Sequence, residues 1–430
     1  MSAKRVLITI LFASIVMIVV GSGVANAGGP IGYDFRISNQ SVDAVSPAVA
    51  YNSQRQEYLV VWYNDRPGND DIQAQRVAKS GSKIGGPFYV IAGQGAERRY
   101  PDVTYNSKRN EYLVVWEHKH GAEYSIRAQR VSATGQLLGG EVTVASPPTF
   151  NDAFKKPTVG YASTSNKYLV VWEYHWEFGA EVAGQRLSST AAVEGSIIGI
   201  SPDPVGAPRY EPDLAYNRSR NEYLVVWKQR DPGPGLYDIY GRRVQGNGTP
   251  MHPESILIRR GEADETAPAV AAIPTTPNQG LYLVVWEETV APGDINVHGR
   301  RMTGEGSPMG ASKKVIASST ENETNPAVAG SEGAGQFLVT WTRRLTDPQA
   351  PWVKWDLIYG RAVAKGGAFL GQGTHVSGRY DADHAAVVSG PLGDFLVAFD
   401  DDPAATGNVD IYGRLWGNRA YVPLVLRRHR

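Results

Sequence analysis

Arginine–tyrosine pairs recur at one kind of position in the chain and are well suited to binding a ligand. The pairs Arg99-Tyr100, Arg209-Tyr210 and Arg379-Tyr380 each precede a short apolar stretch. A guanidinium group forms forked hydrogen bonds with carboxylate, sulfate or phosphate, and tyrosine adds a flat apolar face with a hydroxyl. We interpret these six residues as ligand-binding candidates. The structural alternative is that the arginines pair with carboxylates of neighbouring units.

Tryptophans outside the repeated core motif form a second candidate set. Of the ten tryptophans, six occupy one repeated position and one lies near the end of the chain, at Trp416. The other three, Trp176, Trp352 and Trp355, fall in or beside loops. Free aromatic faces stack on sugar rings or anchor a protein partner. We predict that these three bind ligand, with local packing at the sheet ends as the alternative.

Sequence signatures of catalysis, cofactors and metals are absent. There is no cysteine, which excludes disulfides, thiol nucleophiles and cysteine-ligated metals. Gly-x-Ser-x-Gly, His-Glu-x-x-His and phosphate-binding glycine loops do not occur. His118-Lys119-His120 and Asp400-Asp401-Asp402 lack the further ligands of a metal site. The sequence therefore predicts no cofactor and no metal and favours a non-enzymatic protein, although carboxylates from separate units could still act together on a glycosidic bond.

The charge balance argues against nucleic acid as a partner. Lysine and arginine total 43, as do aspartate and glutamate, so the formal net charge is zero. A general nucleic-acid binder needs an excess of basic residues to displace counterions from the phosphates.

The first 27 residues have the form of an export signal. Lys4 and Arg5 precede an apolar run over 6–20, and Ala25-Asn26-Ala27 follows. A helix of 15 residues spans roughly 22 Å, which is shorter than the hydrocarbon layer of about 30 Å, so a retained anchor is disfavoured. We predict a cleaved signal peptide over 1–27 and a secreted mature chain without a transmembrane segment.

A five-residue apolar motif recurs seven times and sets the architecture. Its first copy is Tyr58-Leu59-Val60-Val61-Trp62, and the spacing between copies is 54 to 59 residues. The copies lie at 58–62, 112–116, 168–172, 223–227, 282–286, 337–341 and 395–399. Apolar residues at every position indicate a strand that is covered on both faces.

Each repeat is predicted to contain four short strands, A to D. In the first repeat they lie at 47–51, 57–63, 71–77 and 88–91. Strand C of every copy carries a small residue, alanine or glycine, followed within two positions by an arginine, and we interpret both as packing residues. A single repeat cannot bury two apolar faces, whereas a ring of such sheets can. The last repeat lacks a fourth strand, so we predict that residues 34–38 supply it and close the ring.

With these seven copies, the chain resembles the secreted bacterial seven-bladed β-propeller proteins built from Tyr-Asn…Glu-Tyr-Leu-Val-Val-Trp repeats. The resemblance covers roughly 33–416 and implies an all-β fold of four-stranded antiparallel blades; it implies no particular activity. We place the propeller at 28–419. The tail over 420–430 is apolar and then basic, which resembles a surface-attachment tail; a loose extra strand is the alternative.

The function predicted from the sequence is recognition of a glycan or an extracellular protein. In a propeller, the B–C and D–A loops share one face, and here the B–C loops differ in length, with an insertion over 345–355. Variable loops on a rigid scaffold are where binding residues concentrate. Two alternatives stay open: a glycan-acting hydrolase or lyase at the channel mouth, and a structural component of the cell envelope or matrix.

Overall fold

The computed structural model describes residues 28–39, 41–201, 207–230, 233, 235–275, 279–310, 313–347, 349–350, 354–377, 381–402 and 408–417. The predicted signal peptide and the tail over 420–430 lie outside the described residues.

The described residues form 28 β-strands and one short 3-10 helix, Pro391–Gly393. We number the four-stranded sets as units. Unit 1 contains β2 (Ala44–Asn52), β3 (Glu57–Asn64), β4 (Asp71–Ala78) and β5 (Lys83–Ile91). Unit 2 contains β6 (Glu97–Asn106), β7 (Glu111–His120), β8 (Glu123–Ser132) and β9 (Leu137–Ala145). Unit 3 contains β10 (Ala153–Ala162), β11 (Lys167–Trp176), β12 (Gly179–Ser188) and β13 (Val193–Gly199).

The remaining units follow the same plan. Unit 4 contains β14 (Arg209–Asn217), β15 (Glu222–Arg230), β16 (Tyr237–Gln245) and β17 (Ile256–Arg259). Unit 5 contains β18 (Glu265–Ile273), β19 (Leu281–Ala291), β20 (Asp294–Thr303) and β21 (Lys314–Ala317). Unit 6 contains β22 (Glu323–Ser331), β23 (Gln336–Thr346), β24 (Lys354–Ala364) and β25 (Phe369–His375). Unit 7 contains β26 (Asp383–Ser389), β27 (Phe395–Asp401), β28 (Asp410–Gly417) and β1 (Gly29–Arg36).

The pairing within each unit is antiparallel, which confirms the predicted all-β class built from four-stranded sheets. Units 2 and 3 belong to one larger sheet, because a single parallel bridge joins Ala153 to Tyr124. Propeller folds use this kind of repeated sheet.

The leading strand of the chain pairs with the last one. Gly29 lies opposite Gly417 and Arg36 lies opposite Tyr412. The strand covers 29–36, so it begins five residues earlier than the sequence predicts. A bulge between Ile31 and Phe35 makes room for this extension, where Gly32 adopts a φ of 71° that glycine tolerates. The N–H groups of residues 37 and 38 both donate to the carbonyl of Ile411.

The core lies between units, around the repeated aromatic position. Trp116 of unit 2 packs against Leu59 and Val61 of unit 1, and both faces of the second strand are buried. Trp62 of unit 1 packs in the same way against Leu396 of unit 7. Each indole therefore joins its own sheet to the preceding one, which explains why the motif is apolar at every position.

The repeated small residue in the third strand makes room for this packing. A Cβ atom added at Gly241 would lie 2.9 Å from the carbonyl oxygen of Val225 and 3.0 Å from Cδ1 of Ile258. At Gly413 an added Cβ would lie 2.8 Å from the ring of Phe35 in β1. Any larger side chain here would push two strands apart.

The repeated arginines of the third strand form two rows rather than one. Arg76 and Arg130, two positions after the small residue, bond to Glu57 and Glu111 of their own unit. Arg300 and Arg361, one position after it, lie on the opposite face of the strand. They donate to the carbonyls of Ile258 and Ile316 in the preceding unit. Arg300 and Arg361 therefore join their units to the preceding ones, whereas Arg76 bonds within its unit and also donates to the carbonyl of Thr134 in the next unit.

Candidate functional site

A cavity of about 470 Å³ is lined by residues from the first strands of all seven units. Each unit contributes one dipeptide to its wall. These dipeptides are Ser46-Pro47, Tyr100-Pro101, Lys156-Pro157, Glu211-Pro212, Ala267-Pro268, Asn325-Pro326 and His384-Ala385. We call the first residue of each dipeptide the cavity ring.

All seven residues of the cavity ring share one unusual backbone conformation. Their φ angles lie between 46° and 56°, in the left-handed region. In every unit the pairing of the first strand with the second shifts register across this residue. In six units the next residue is proline, which cannot donate to the ladder and is tolerated in a strand at a bulge. At the cavity, the bulge interrupts the alternation of side chains between the two faces of the strand.

Carboxylates of the preceding unit hold this backbone in place. They follow directly after the repeated aromatic position and accept the N–H of a ring residue. The bonds run from Ser46 N to Asp400 (3.0 Å), Lys156 N to Glu117 (3.1 Å), Glu211 N to Glu173 (2.9 Å) and Asn325 N to Glu287 (2.7 Å). A left-handed conformation costs about 1 kcal/mol for a non-glycine residue, and these charge-assisted bonds offset that cost.

The side chains of the cavity ring differ in every unit. They present a hydroxyl, a phenol, an ammonium, a carboxylate, a methyl, an amide and an imidazole. Glu211 bonds to Lys228 at 2.7 Å, and Lys156 lies 3.9 Å from Glu173. The Lys156 side chain is 46% exposed and that of His384 is 53% exposed, so both can reach a ligand.

His384 carries a positive charge at neutral pH. Its Nδ1 lies 3.1 Å from Oδ2 of the buried Asp400, the same oxygen that accepts the N–H of Ser46. The hydrogen bond to Asp400 raises the pKa of His384 to about 9, with Asp383 adding to the effect. Asp400 therefore fixes both the charge and the orientation of the imidazole.

Two carboxylates beside Lys156 have their pKa values moved in opposite directions. Burial raises the pKa of Glu117, and the nearby charge of Glu173 adds to this rise. Burial would also raise the pKa of Glu173, but the hydrogen bond from His175 and the charge of Lys156 bring it below its ordinary value. The two groups thus differ in proton affinity at one side of the cavity.

Two aspartates join neighbouring units two positions beyond the cavity ring. Asp102 accepts the N–H of Val159 at 2.8 Å, and Asp213 accepts that of Val270 at 2.7 Å. Burial raises the pKa of Asp213 to about 7 and raises that of Asp102 as well. Both carboxylates bridge one first strand to the next, which is a structural role.

The structure separates two of the three sequence-predicted arginines, Arg99 and Arg209, from the cavity. Arg99 is bound to Asp70 and lies near Asp65, in unit 1. Arg209 is only 2% exposed, and its Nε donates to Gln229 at 3.0 Å. Arg209 is therefore enclosed by protein, and its predicted contact with a ligand would require it to leave Gln229.

The predicted aromatic residues that the structure describes do not all line the cavity. Tyr100 belongs to the cavity ring and is 39% exposed. Tyr210 precedes Glu211 and is half-buried, as is Trp176, which contacts Tyr174. Trp355 is half-buried in β24, opposite Leu345. Trp352, Arg379 and Tyr380 lie outside the described residues.

Sequence reasoning missed most of the cavity ring, including Lys156, Asn325 and His384. The signal that could have found them is the proline at the same place in six first strands. A proline inside a strand marks an edge or a bulge. The residue before it is then the one displaced from the ladder.

The part of the chain that the structure describes holds no group of three or more His, Asp and Glu residues placed to bind a metal ion. Among the same residues, no helix is long and apolar enough to cross a bilayer.

Comparisons with known proteins show a shared fold. No protein-family model matches the chain, and no curated protein matches it. A crystal structure of a protein of unknown function from Dyadobacter fermentans DSM 18053 is similar, with 12% identity, 91% of this chain and 100% of that chain covered, and a TM-score of 0.52. An α-L-arabinanase from Penicillium chrysogenum, solved with arabinobiose, has 11% identity, coverage of 90% and 97%, and a TM-score of 0.49. At such low identity, likeness between structures concerns the fold alone and carries no activity to this chain.

Proposed function

We propose that the chain is a seven-bladed β-propeller closed by β1, and that its axial cavity binds a saccharide. The ring closure is supported by contacts between successive first strands from β2 through β26, and by the contact of β26 with β2. The packing of Trp62 against Leu396 supports it at the same seam. The units then correspond to blades, and the cavity lies on their common axis.

One observation carries the binding proposal: seven identical backbone positions converge on one cavity and present seven different side chains. A feature that only held the fold together would repeat its side chain, as the tryptophans do. Here the backbone repeats while the chemistry does not. A site that displays several different polar groups on a rigid frame is what recognition of an asymmetric small ligand requires.

The chemistry of the wall suits a saccharide. Asn325, Ser46 and Tyr100 offer neutral donors and acceptors, while Lys156 and Glu211 offer charged ones. Six proline rings and the tyrosine provide apolar surface between these groups. A sugar carries hydroxyls around its edge and C–H groups on its faces, so it matches a wall that alternates polar groups and apolar rings.

Secretion belongs to the same proposal. The export signal over 1–27 would carry the protein out of the cell, where polysaccharides are abundant, and the basic tail over 420–430 would hold it at the surface. Detecting the protein by antibody in medium and in cell-surface fractions tests this part. Protein found only inside the cell contradicts it.

A glycan array followed by titration calorimetry tests the saccharide proposal. Lys156→Ala and Tyr100→Ala should each weaken binding about tenfold, because each removes a contact in the cavity. Tyr89→Ala is the matched control, since Tyr89 is an exposed aromatic in β5, away from the axis. Binding that both cavity variants leave unchanged would overturn the proposal.

Glycan hydrolysis is the second candidate, and the carboxylates beside Lys156 favour it. Hydrolysis of a glycosidic bond uses one carboxyl that holds its proton and one that is ionised. Glu117 and Glu173 have pKa values moved in these two directions. Release of reducing ends from a polysaccharide panel, lost in Glu117→Gln and in Glu173→Gln, would support catalysis. Binding without turnover would leave the protein a lectin-like propeller.

A further inference from the structure

Aromatic side chains gather on one side of the axial cavity, over units 3 and 4. Tyr210 follows Arg209 at the start of β14 and directly precedes Glu211 of the cavity ring. Its ring centroid lies 5.5 Å from that of His175 and 6.3 Å from that of Tyr237. All three are half-buried, so each retains an accessible part. We call these three residues the aromatic path.

The aromatic path is joined to the cavity by a cation. Lys228 Nζ lies 5.0 Å from the ring centroid of Tyr237 and bonds to Glu211 at 2.7 Å. This side chain therefore connects a cavity carboxylate to the outer aromatic ring. Polar and aromatic groups therefore lie side by side here, as they do in the cavity wall.

Further aromatic residues of unit 3 lie outside the aromatic path. Tyr174 and Trp176 alternate with His175 along β11 and therefore lie on the other face of the sheet, with ring centroids 5.5 Å apart. Phe178, two residues after Trp176, is 78% exposed, and Phe150, in the loop before β10, is 86% exposed. Single exposed apolar residues are common on protein surfaces, so the inference depends on the three residues of the aromatic path.

Units 6 and 7, on the opposite side of the cavity, also carry ion pairs and aromatic residues, such as Arg344 with Asp356 and the half-buried Trp355. What sets unit 4 apart is the residue directly before its cavity-ring position. Of the seven residues that directly precede the cavity ring, Tyr210 alone is aromatic. A ligand that leaves the cavity over an aromatic ring would therefore pass over units 3 and 4.

We propose that the ligand is a polysaccharide chain, of which one end lies in the axial cavity and several further sugar residues lie along the aromatic path. This inference rests on the proposed saccharide function. It adds the direction in which the bound saccharide runs and the number of sugar residues that contact the protein. Each aromatic ring of the path would contact one face of a sugar, as aromatic groups do in sites for extended ligands. Affinity should then increase with the number of sugar residues.

Calorimetry with oligosaccharides of two and six units tests the inference. The probes are xylo-, cello-, arabino- and chito-oligosaccharides. For the type that binds, the hexasaccharide should bind the wild-type protein about tenfold more tightly than the disaccharide. Tyr210→Ala and Tyr237→Ala should reduce that ratio to about one, and Tyr89→Ala should leave it unchanged. The backbone N–H of Tyr237 bonds to Asp264, so Tyr237→Ala keeps the local hydrogen bond.

The outcomes separate this inference from the function on which it rests. A wild-type protein that binds both lengths equally overturns the aromatic path and leaves the cavity site standing. A length advantage that persists in both tyrosine variants, with melting temperatures near that of the wild type, places the extra contacts elsewhere and also overturns it. Absence of binding at either length overturns the saccharide function and this inference together.

Discussion

In units 1, 2 and 4, whose first strands end in asparagine, the two ends of the first strand follow opposite rules. At one end an asparagine turns the chain: Asn52 accepts the N–H groups of Gln54 and Arg55, and Asn106 accepts those of Lys108 and Arg109. At the other end the cavity ring repeats its φ angle and changes its side chain in every unit. A side chain that makes the fold is repeated, whereas a position where only the backbone makes the fold is free to vary. We propose that recognition resides at the second kind of position.

The repeated small residue gives the largest expected effect on stability. Gly241→Leu should reduce the free energy of unfolding by about 3 kcal/mol, because the added atoms overlap Ile258 and the carbonyl of Val225 in the paired strand β15. Differential scanning calorimetry would show a melting temperature lower by several degrees. Gly86→Leu is the matched control, since Gly86 has no atom within 4 Å of an added Cβ. Equal melting temperatures for the two variants would show that the repeated small residue has no packing role.

The repeated arginine–glutamate pair should give the next largest effect. Glu111 is buried and accepts two bonds from Arg130, at 2.9 and 2.7 Å, and one from Arg109. Glu111→Gln should cost about 2 kcal/mol, because the guanidinium groups lose their charged partner. Urea denaturation measures the loss, with Glu141→Gln, at an exposed position of β9, as the control. If neither substitution changes the free energy of unfolding, stability does not explain why this pair recurs in several units.

Asp400, which follows the repeated aromatic position, bonds to His384 of the cavity ring. This pair predicts that the stability of the protein depends on pH. The folded pKa of His384 is raised to about 9, above its ordinary value of 6.5, so its stabilisation is complete below pH 6.5 and is lost as pH rises through 9. Because the side chain is half exposed, solvent screening reduces the contribution to about 1 kcal/mol. Melting curves from pH 6 to 10 should show the wild-type advantage over His384→Gln disappearing in that window. His120→Gln, at the exposed end of β7, is the control, and a constant difference between the wild type and His384→Gln would contradict the assignment.

The cavity ring should give the smallest effect on stability. Lys156→Ala should change the free energy of unfolding by less than about 0.5 kcal/mol. The Lys156 side chain is exposed, and its ammonium group comes no closer than 3.9 Å to Glu173, so the ion pair is weak. Denaturation and calorimetric titration of the same variant compare stability with binding. A large loss of stability would assign Lys156 to the fold rather than to recognition.

The repeated elements could be predicted from the sequence because their side chains make the contacts. The apolar motif at 58–62 indicates burial on both faces, and β3 is buried along its whole length. The lack of a fourth strand in the last repeat pointed to the leading segment, which pairs with β28. Both inferences depend on what the side chains must bury.

The candidate site could not be predicted in the same way, because its position depends on backbone geometry. Nothing in the residue types of Lys156 or His384 reveals a left-handed φ. The dipeptides Arg99-Tyr100 and Arg209-Tyr210 look equivalent in sequence, yet Tyr100 lines the cavity while Tyr210 lies one residue before a cavity residue. A shift of one residue across a bulge decides which side chain reaches the axis.

A crystal structure of the protein with the hexasaccharide that binds most tightly would show whether the cavity ring binds sugar. We expect sugar density in the axial cavity, within hydrogen-bonding distance of Lys156 and Asn325 and in contact with Tyr100. Sugar density confined to the outer strands, with the cavity ring untouched, would contradict it.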